Sequence, residues 1–455
     1  MLPLMILLIT SVTLVLTFVR PKWGSGLIWL ILFTYPHNWW FTHQFLPLNI
    51  GVDDLFCIAL FVVTVIRRNV FAGVPIRFGY AFWTITTFAL VATIANISGA
   101  MDAPFERLLY LKDILKLYVY WGLFYAIVHC IDDADDLRRQ FMMFSVAAAI
   151  GGMLVILHYF FPSRMSNWSN PLFVEIEGVT GRASGAFLNP NGAACTLACS
   201  LALVVTSIRL QGGWFTKILL GLSCAVLLLG VLVTQSRSGL FALAGTFGLM
   251  ALIGQNKRIA WTIIAIAIVV GATFAGVREA FKERVATVYN PTAKTWAKNV
   301  AGRAETWQRY FQTATPQVVM LGQGHRGGIT RNGSESHSAY VSALMVYGVG
   351  GLAWAVLALI GFWRRAIARQ EDEDPLTVIV KNGCLWAFVA WAIYATTSDA
   401  ISSQYPRYLL FYAVVLVDRA NAIANDTALA WATWDRALEN QIQPVEPATQ
   451  VASES

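Results

Sequence analysis

Charge is scarce in this sequence. Of its 455 residues, 13% are Asp, Glu, Lys or Arg, where a soluble domain carries about 25%. A chain that is 57% hydrophobic with so few charges cannot hide its apolar surface in one aqueous core. The N-terminus, "MLPLMILLITSVTLVLTFVRPKWG", lacks a basic leader region and a small-residue cleavage site, so it is expected to be a retained span and not a signal peptide. All six cysteines (Cys57, Cys130, Cys195, Cys199, Cys224, Cys384) fall in apolar runs, which suits inert packing and implies neither a disulfide framework nor a zinc site. No period of 20–50 residues repeats, which excludes a repeat array. The glycine-rich stretch at Gly322–Tyr340 lacks the spacing of a nucleotide P-loop. The net charge of +7 sits in short clusters between apolar runs, which excludes a nucleic-acid partner and matches membrane orientation signals.

Long apolar runs dominate what remains. A helix needs about 20 apolar residues to cross the hydrocarbon. Runs near 2–19, 26–40, 54–66, 79–98, 108–130, 141–161, 190–208, 217–234, 238–254, 259–276, 338–363, 378–396 and 405–417 predict 12 or 13 spans of an all-α polytopic protein. Seventeen Trp, 15 Tyr and 27 Phe suit interfacial belts and helix packing. One set of alternate loops holds 14 Lys and Arg (Arg20 and Lys22; Arg67, Arg68 and Arg77; Arg138 and Arg139; Arg209 and Lys217; Lys257 and Arg258; Arg364, Arg365 and Arg369), and the short loops of the other hold five (Arg107, Arg164, Arg182, Arg237, Arg407). The first set is therefore expected in the cytoplasm. That places the large loop 277–337, with nine Lys/Arg against four Glu, outside. Within it "REAFKERVATVYN" is expected to be an amphipathic helix on the membrane surface. The expected organisation is 1–180 as N-terminal spans, 181–417 as the region bearing the polar motifs, and 418–455 as a cytoplasmic tail. In that tail "NDTALAWATWDRALENQI" is expected to be helical and "QPVEPATQVASES" disordered.

Four polar stretches interrupt the apolar pattern, all on the outer side of this topology. "GRASGAFLNPNGAA" (181–194) carries Arg182 and the Asn189-Pro190-Asn191 turn at a helix start. "TQSRSG" (234–239) places Arg237 between Ser236 and Ser238 at membrane depth, where an ionisable residue is costly and marks function, although an arginine at a helix end can also snorkel. "AGRAETWQRYF" (301–311) carries Arg303, which alone would be a surface charge paired with a neighbour such as Glu305. "GQGHRGGITRNGSESHSAY" (322–340) leads into His337 at the mouth of an apolar run. Three arginines, an Asn-Pro-Asn turn and a histidine on one side make a basic site with a proton acceptor. Guanidinium forks match phosphate oxygens, and an imidazole titrating near pH 6.5 suits general-base work. The chemistry suggested is attack by a hydroxyl on a phosphate-activated substrate. Asp53, Asp54 and Asp399, also on the outer side, stay open as alternative bases or as helix caps and partners of Arg407. A transporter or lipid flippase is the rival class, although the spans hold few acids and no inverted repeat is visible.

At these motifs the chain resembles the O-antigen ligase and O-antigen polymerase superfamily, bacterial membrane glycosyltransferases with a GT-C type fold. The likeness lies in Gly181–Ala194, Ser236-Arg237-Ser238-Gly239, "GRAETW" (302–307), "GQG" (322–324) and "SHSAY...YGVGG" (336–351), and covers roughly residues 180–365. It implies a multi-pass protein of the bacterial inner membrane with a periplasmic active site. A glycan would move from an undecaprenyl-diphosphate carrier onto a hydroxyl of a glycan, lipid A core or protein acceptor, in surface polysaccharide or lipopolysaccharide synthesis. Arg237 and Arg303, with Arg182, would hold the diphosphate. Asn189, Asn191, Ser236, Ser238 and Tyr340 would complete the substrate site, and His337 would be the base. No cofactor or metal is implied, the arginines taking a metal's place; the lipid bilayer is an implied partner and a chain-length regulator a further one. The chain departs from the family at Ser338, where Asn is frequent, and at Val346, where Glu is frequent.

Overall fold

The computed structural model describes residues 11–34, 51–162, 182–208, 213–273, 289–290, 295–296, 298–332, 336–369 and 373–442, apart from single positions at 14, 188 and 255. The first apolar run and the last residues of the second lie largely outside these, as do "QPVEPATQVASES" and all but the last two residues of "REAFKERVATVYN". Those two, Tyr289–Asn290, form β1, paired antiparallel with β2 (Thr295–Trp296). The rest is helical: α1 (Pro21–Thr34), α2 (Val52–Thr64, continued by a π-helical turn, Val65–Phe71), α3 (Tyr80–Asp102), α4 (Arg107–Cys130), α5 (Ala134–Phe160), α6 (Pro190–Ser207), α7 (Trp214–Val233), α8 (Arg237–Ile253), α9 (Lys257–Thr273), α10 (Lys298–Gln312), α11 (Pro316–Leu321), α12 (Gly324–Asn332), α13 (Ala339–Met345), α14 (Gly348–Ile367), α15 (Pro375–Thr397) and α16 (Gln404–Ile442).

Six of the described helices, α3, α5, α6, α7, α14 and α15, are each long and apolar enough to cross a membrane. The chain is an all-α polytopic membrane protein. Some of the other expected spans coincide with shorter helices, such as the 17-residue α8 and the 13-residue α2, while the run 108–130 coincides with the 24-residue α4. The run 338–363 is not one helix. It breaks at Val346–Tyr347 into α13 and α14, because Gly348 takes a left-handed backbone (φ 72°) against the Gly322 turn.

Helix α6 is the central post. Its sequence, "PNGAACTLACSLALVVTS", is rich in small residues, and nearly all of it is buried among α5, α7, α8, α15 and α16. In lipid, apolar side chains gain little by leaving the hydrocarbon, so association depends on close backbone approach. The stripe of Gly, Ala, Ser and Cys allows it. At Gly239 of α8, a side-chain carbon would sit 2.3 Å from the Ala194 Cβ, so α6 and α8 touch where two of the polar motifs begin. Elsewhere aromatic rings fill the centre: Trp29 of α1 lies 5.2 Å from Phe144 of α5 and 4.5 Å from Tyr412 of α16.

The charges sort to opposite ends of the helices. At one end Asp132 pairs with Lys22, Arg68 and Arg77, each at 2.7 Å, and Asp136 pairs with Arg139 at 2.7 Å. Arg419 donates to the Ile131 carbonyl, and the Tyr80 amide to Asp418. Helix α3 starts at this end, and α11 and α12 pack on it, Gln317 reaching Ser98 near its far end at 3.5 Å. The motif-bearing loops therefore lie across the helices from the ionic cluster.

Candidate active site

The site is built around the C-terminal end of α15. A helix ends with carbonyls that lack intrahelical partners and with the negative pole of its dipole, so hydroxyls and cations are drawn there. Ser238, next to Arg237, has its hydroxyl 3.5 Å from the Thr397 carbonyl. The Tyr340 hydroxyl donates to the Ala392 carbonyl at 3.2 Å. Arg303 of α10 feels the phenol of Tyr394, which is buried in α15. Burial holds the Arg303 guanidinium below its ordinary pKa, and Tyr394 offsets part of that. Among the described residues no carboxylate lies within ion-pairing distance of Arg303, including the Glu305 expected as its neighbour. A partly desolvated cation without an acid is a site for an anion.

Arg237 stands at the first position of α8, in a corner built to present it. Ser236 caps the helix, its Oγ accepting from the Gly239 amide at 3.3 Å. The preceding Gln235 is forced left-handed (φ 54°), a conformation non-glycine residues adopt at a cost. The same Ser236 hydroxyl donates to Asn191 Oδ1 at 2.8 Å. Arg182 donates to that oxygen too, also at 2.8 Å, and to the Thr234 carbonyl at 3.3 Å. Asn191 thus ties the 182–191 loop to the Arg237 corner, with Arg182 as the strut. Asn189 caps α6, accepting from the Gly192 amide at 2.6 Å, and Pro190 follows at the helix's first position.

His337 is the second non-glycine residue with a left-handed backbone (φ 52°). It is half-buried between two buried serines. Ser336 sets the turn. Its hydroxyl donates to the Ser338 carbonyl at 2.8 Å and accepts from the Ser338 amide at 3.2 Å, while its carbonyl accepts from the Trp307 indole at 2.6 Å. Trp307 stands one helical turn after Arg303, so α10 delivers the arginine and clamps the histidine loop together. Behind them, Ser342 bridges Ser336 (2.7 Å) and Asp399 Oδ2 (2.6 Å), and Asp399 Oδ1 accepts from the Ser402 amide at 3.1 Å.

Sequence reading had no means of finding Ser342 or Trp307, since both act through tertiary contacts; the "SHSAYVS" and "GRAETW" stretches that hold them were the nearest signal. Asp399 supports the turn through Ser342, and among the described residues no carboxylate pairs with Arg407. Asp54 is engaged elsewhere, with Lys116 (3.3 Å), the Tyr120 hydroxyl (3.0 Å) and the Gly51 amide (2.8 Å). At Val346 the backbone is what the fold uses: its carbonyl accepts from the Gln323 and Gly324 amides at 3.1 and 3.0 Å, which docks the "GQG" turn.

No curated protein matches the chain. Residues 222–356, which carry Arg237, Arg303 and His337, match the family model described as O-antigen ligase. Over these residues the chain is similar to the O-antigen ligase and polymerase superfamily. That is an enzyme family of glycan biosynthesis, and the likeness supports the transferase reading over the transporter.

Proposed function

We propose that the protein is a metal-independent inverting glycosyltransferase that moves a glycan from an undecaprenyl-diphosphate carrier to an acceptor hydroxyl at the periplasmic face of the inner membrane. The observation that carries this is the gathering of Arg303, the Arg237 corner and the His337 turn at one end of α15, within the family match. The two guanidiniums bind the diphosphate and stabilise the charge that grows on it as the glycosidic C–O bond breaks. His337 takes the proton of the acceptor hydroxyl, whose oxygen forms the new bond to the anomeric carbon from the opposite face; the carrier diphosphate leaves. Arg182, Asn189, Asn191, Ser236 and Ser238 shape the corner that presents Arg237, and Tyr340 flanks the site. Ligase and polymerase share this chemistry and differ in the acceptor.

The test is transfer by purified, reconstituted protein from a lipid-diphosphate glycan. His337→Ala should lose about 10²–10⁴-fold in rate while still binding the donor. Arg237→Lys and Arg303→Lys should both be poor, because an ammonium cannot reproduce a two-pronged contact. Near-normal product from His337→Ala would refute the base assignment, and full activity in both lysine variants would reduce the arginines to diffuse charge.

A further inference from the structure

The loop that carries Arg182 and the Asn189-Pro190-Asn191 turn rests on one face of α5. Gly185 takes a left-handed backbone (φ 59°), and a side-chain carbon there would sit 2.8 Å from the Val155 amide nitrogen. His158, three residues on and on the same face of α5, meets the loop next. Its Nδ1 accepts from the Ser184 amide at 3.3 Å and from the Gly185 amide at 3.1 Å. The histidine is 9% exposed, and Ala183, Ser184, Ala186 and Phe187 around the contact are 3% exposed or less, so water has little access to take the ring's place.

Two backbone donors converge on one ring nitrogen, so that nitrogen carries a lone pair and the ring's hydrogen is on Nε2. A histidine in the last turn of a helix is ordinarily favoured as the cation, whereas these amides require the neutral ring. A buried amide without an acceptor is costly, and among the described residues neither amide has another acceptor. The contact leads directly to the Arg237 corner. Ser184 is two residues from Arg182, whose guanidinium donates to Asn191 Oδ1 and to the Thr234 carbonyl. Asn191 in turn accepts from the Ser236 hydroxyl that caps α8 beside Arg237. On the other side of the turn the Phe187 amide donates to the Ser184 carbonyl at 3.0 Å, and its ring packs on Phe33 and Tyr405.

We propose that His158 is a positioning residue for the donor diphosphate: its neutral imidazole fixes the 183–187 turn on α5 and, through Arg182, Asn191 and Ser236, sets where the Arg237 guanidinium points. It touches no substrate. The inference rests on the reading of Arg237 as a diphosphate ligand, and the tether itself is measurable apart from that reading. Asn offers its Oδ1 about where the ring's Nδ1 stands, so it replaces the acceptor; Leu fills the space without one.

The test is isothermal titration calorimetry of inorganic pyrophosphate with the full chain in nanodiscs, with amide hydrogen exchange over 183–187 measured alongside. His158→Leu should speed exchange there and weaken pyrophosphate binding by about tenfold, the scale of coupling within one hydrogen-bond network. His158→Asn should restore both. In an Arg237→Ala background His158→Leu should cause no further loss, whereas in an Arg303→Ala background it should cause the same loss as in the parent. A residue that only holds the fold together would weaken binding in both. Unchanged affinity in His158→Leu, where Arg237→Ala weakens it, would overturn the proposal. So would equal losses in the two backgrounds, or failure of His158→Asn to restore binding. Pyrophosphate affinity indifferent to Arg237→Ala would refute the diphosphate reading itself, and exchange alone would then decide the tether: faster exchange in His158→Leu keeps it, and unchanged exchange removes it.

Discussion

At the scale of single residues, the site is held by backbone conformations that its side chains do not favour. A left-handed residue other than glycine costs about 1–2 kcal/mol, and both Gln235 and His337 occupy that region, each beside or at a proposed functional group. Such strain persists only where the surroundings enforce it, here the Ser336 turn and the cap of α8. Comparing two variants that both lack the imidazole isolates the strain. His337→Gly should melt above His337→Ala by about 1 kcal/mol of stability, since only glycine relieves the backbone, while both remain equally poor in transfer. Equal melting, measured by thermal unfolding in detergent, would show that the turn is relaxed. The imidazole itself was legible in the sequence, because a histidine between hydroxyls at a helix mouth is visible in one dimension. Its supports were not: Trp307, Ser342 and Asp399 lie up to dozens of residues from it along the chain, and meet it only because α10, α13 and the α15–α16 turn converge.

At the scale of elements, the end of α15 organises the candidate site, and Asp399 just beyond it reaches the His337 turn through Ser342, which predicts a positioning role. Replacing Asp399 by Asn should lower the turnover rate by about tenfold, the scale of one lost charged hydrogen bond, and leave donor affinity unchanged. Ser342→Ala should do the same. A fall in donor affinity with turnover preserved would contradict this role. Most elements here were readable from hydropathy. The runs 190–208, 217–234 and 238–254 fall within three residues of α6, α7 and α8, because Pro190, Gly213 and Ser236 mark their starts. Hydropathy failed where the physics is not apolar. It joined α13 to α14, since a left-handed glycine leaves no trace in an average. Past the last apolar run, the helix expected over "NDTALAWATWDRALENQI" is present as the polar continuation of α16.

At the scale of the whole molecule, two charge systems face away from each other: the paired cluster around Asp132 and Asp136, and the arginines near α15. The excess of Lys and Arg on the first predicts that it is cytoplasmic. Single cysteines in a cysteine-free background, probed with an impermeant thiol reagent in spheroplasts, should be labelled at position 296 and protected at 369. The opposite pattern would put the proposed site on the wrong side of its lipid-linked donor. The sorting also bears on α16. A continuous helix of 39 residues is about 58 Å long at 1.5 Å per residue, roughly twice the hydrocarbon thickness. It begins at Gln404, which lines the cavity between α3 and α4, so it must leave the bilayer on the side of the ionic cluster and run on as a rod. The far end of that rod shares one uninterrupted hydrogen-bond ladder with the backbone that carries Arg407. A force applied there, by a bound protein or by the membrane surface, would tilt or slide the cavity wall with no hinge in the helix to absorb it.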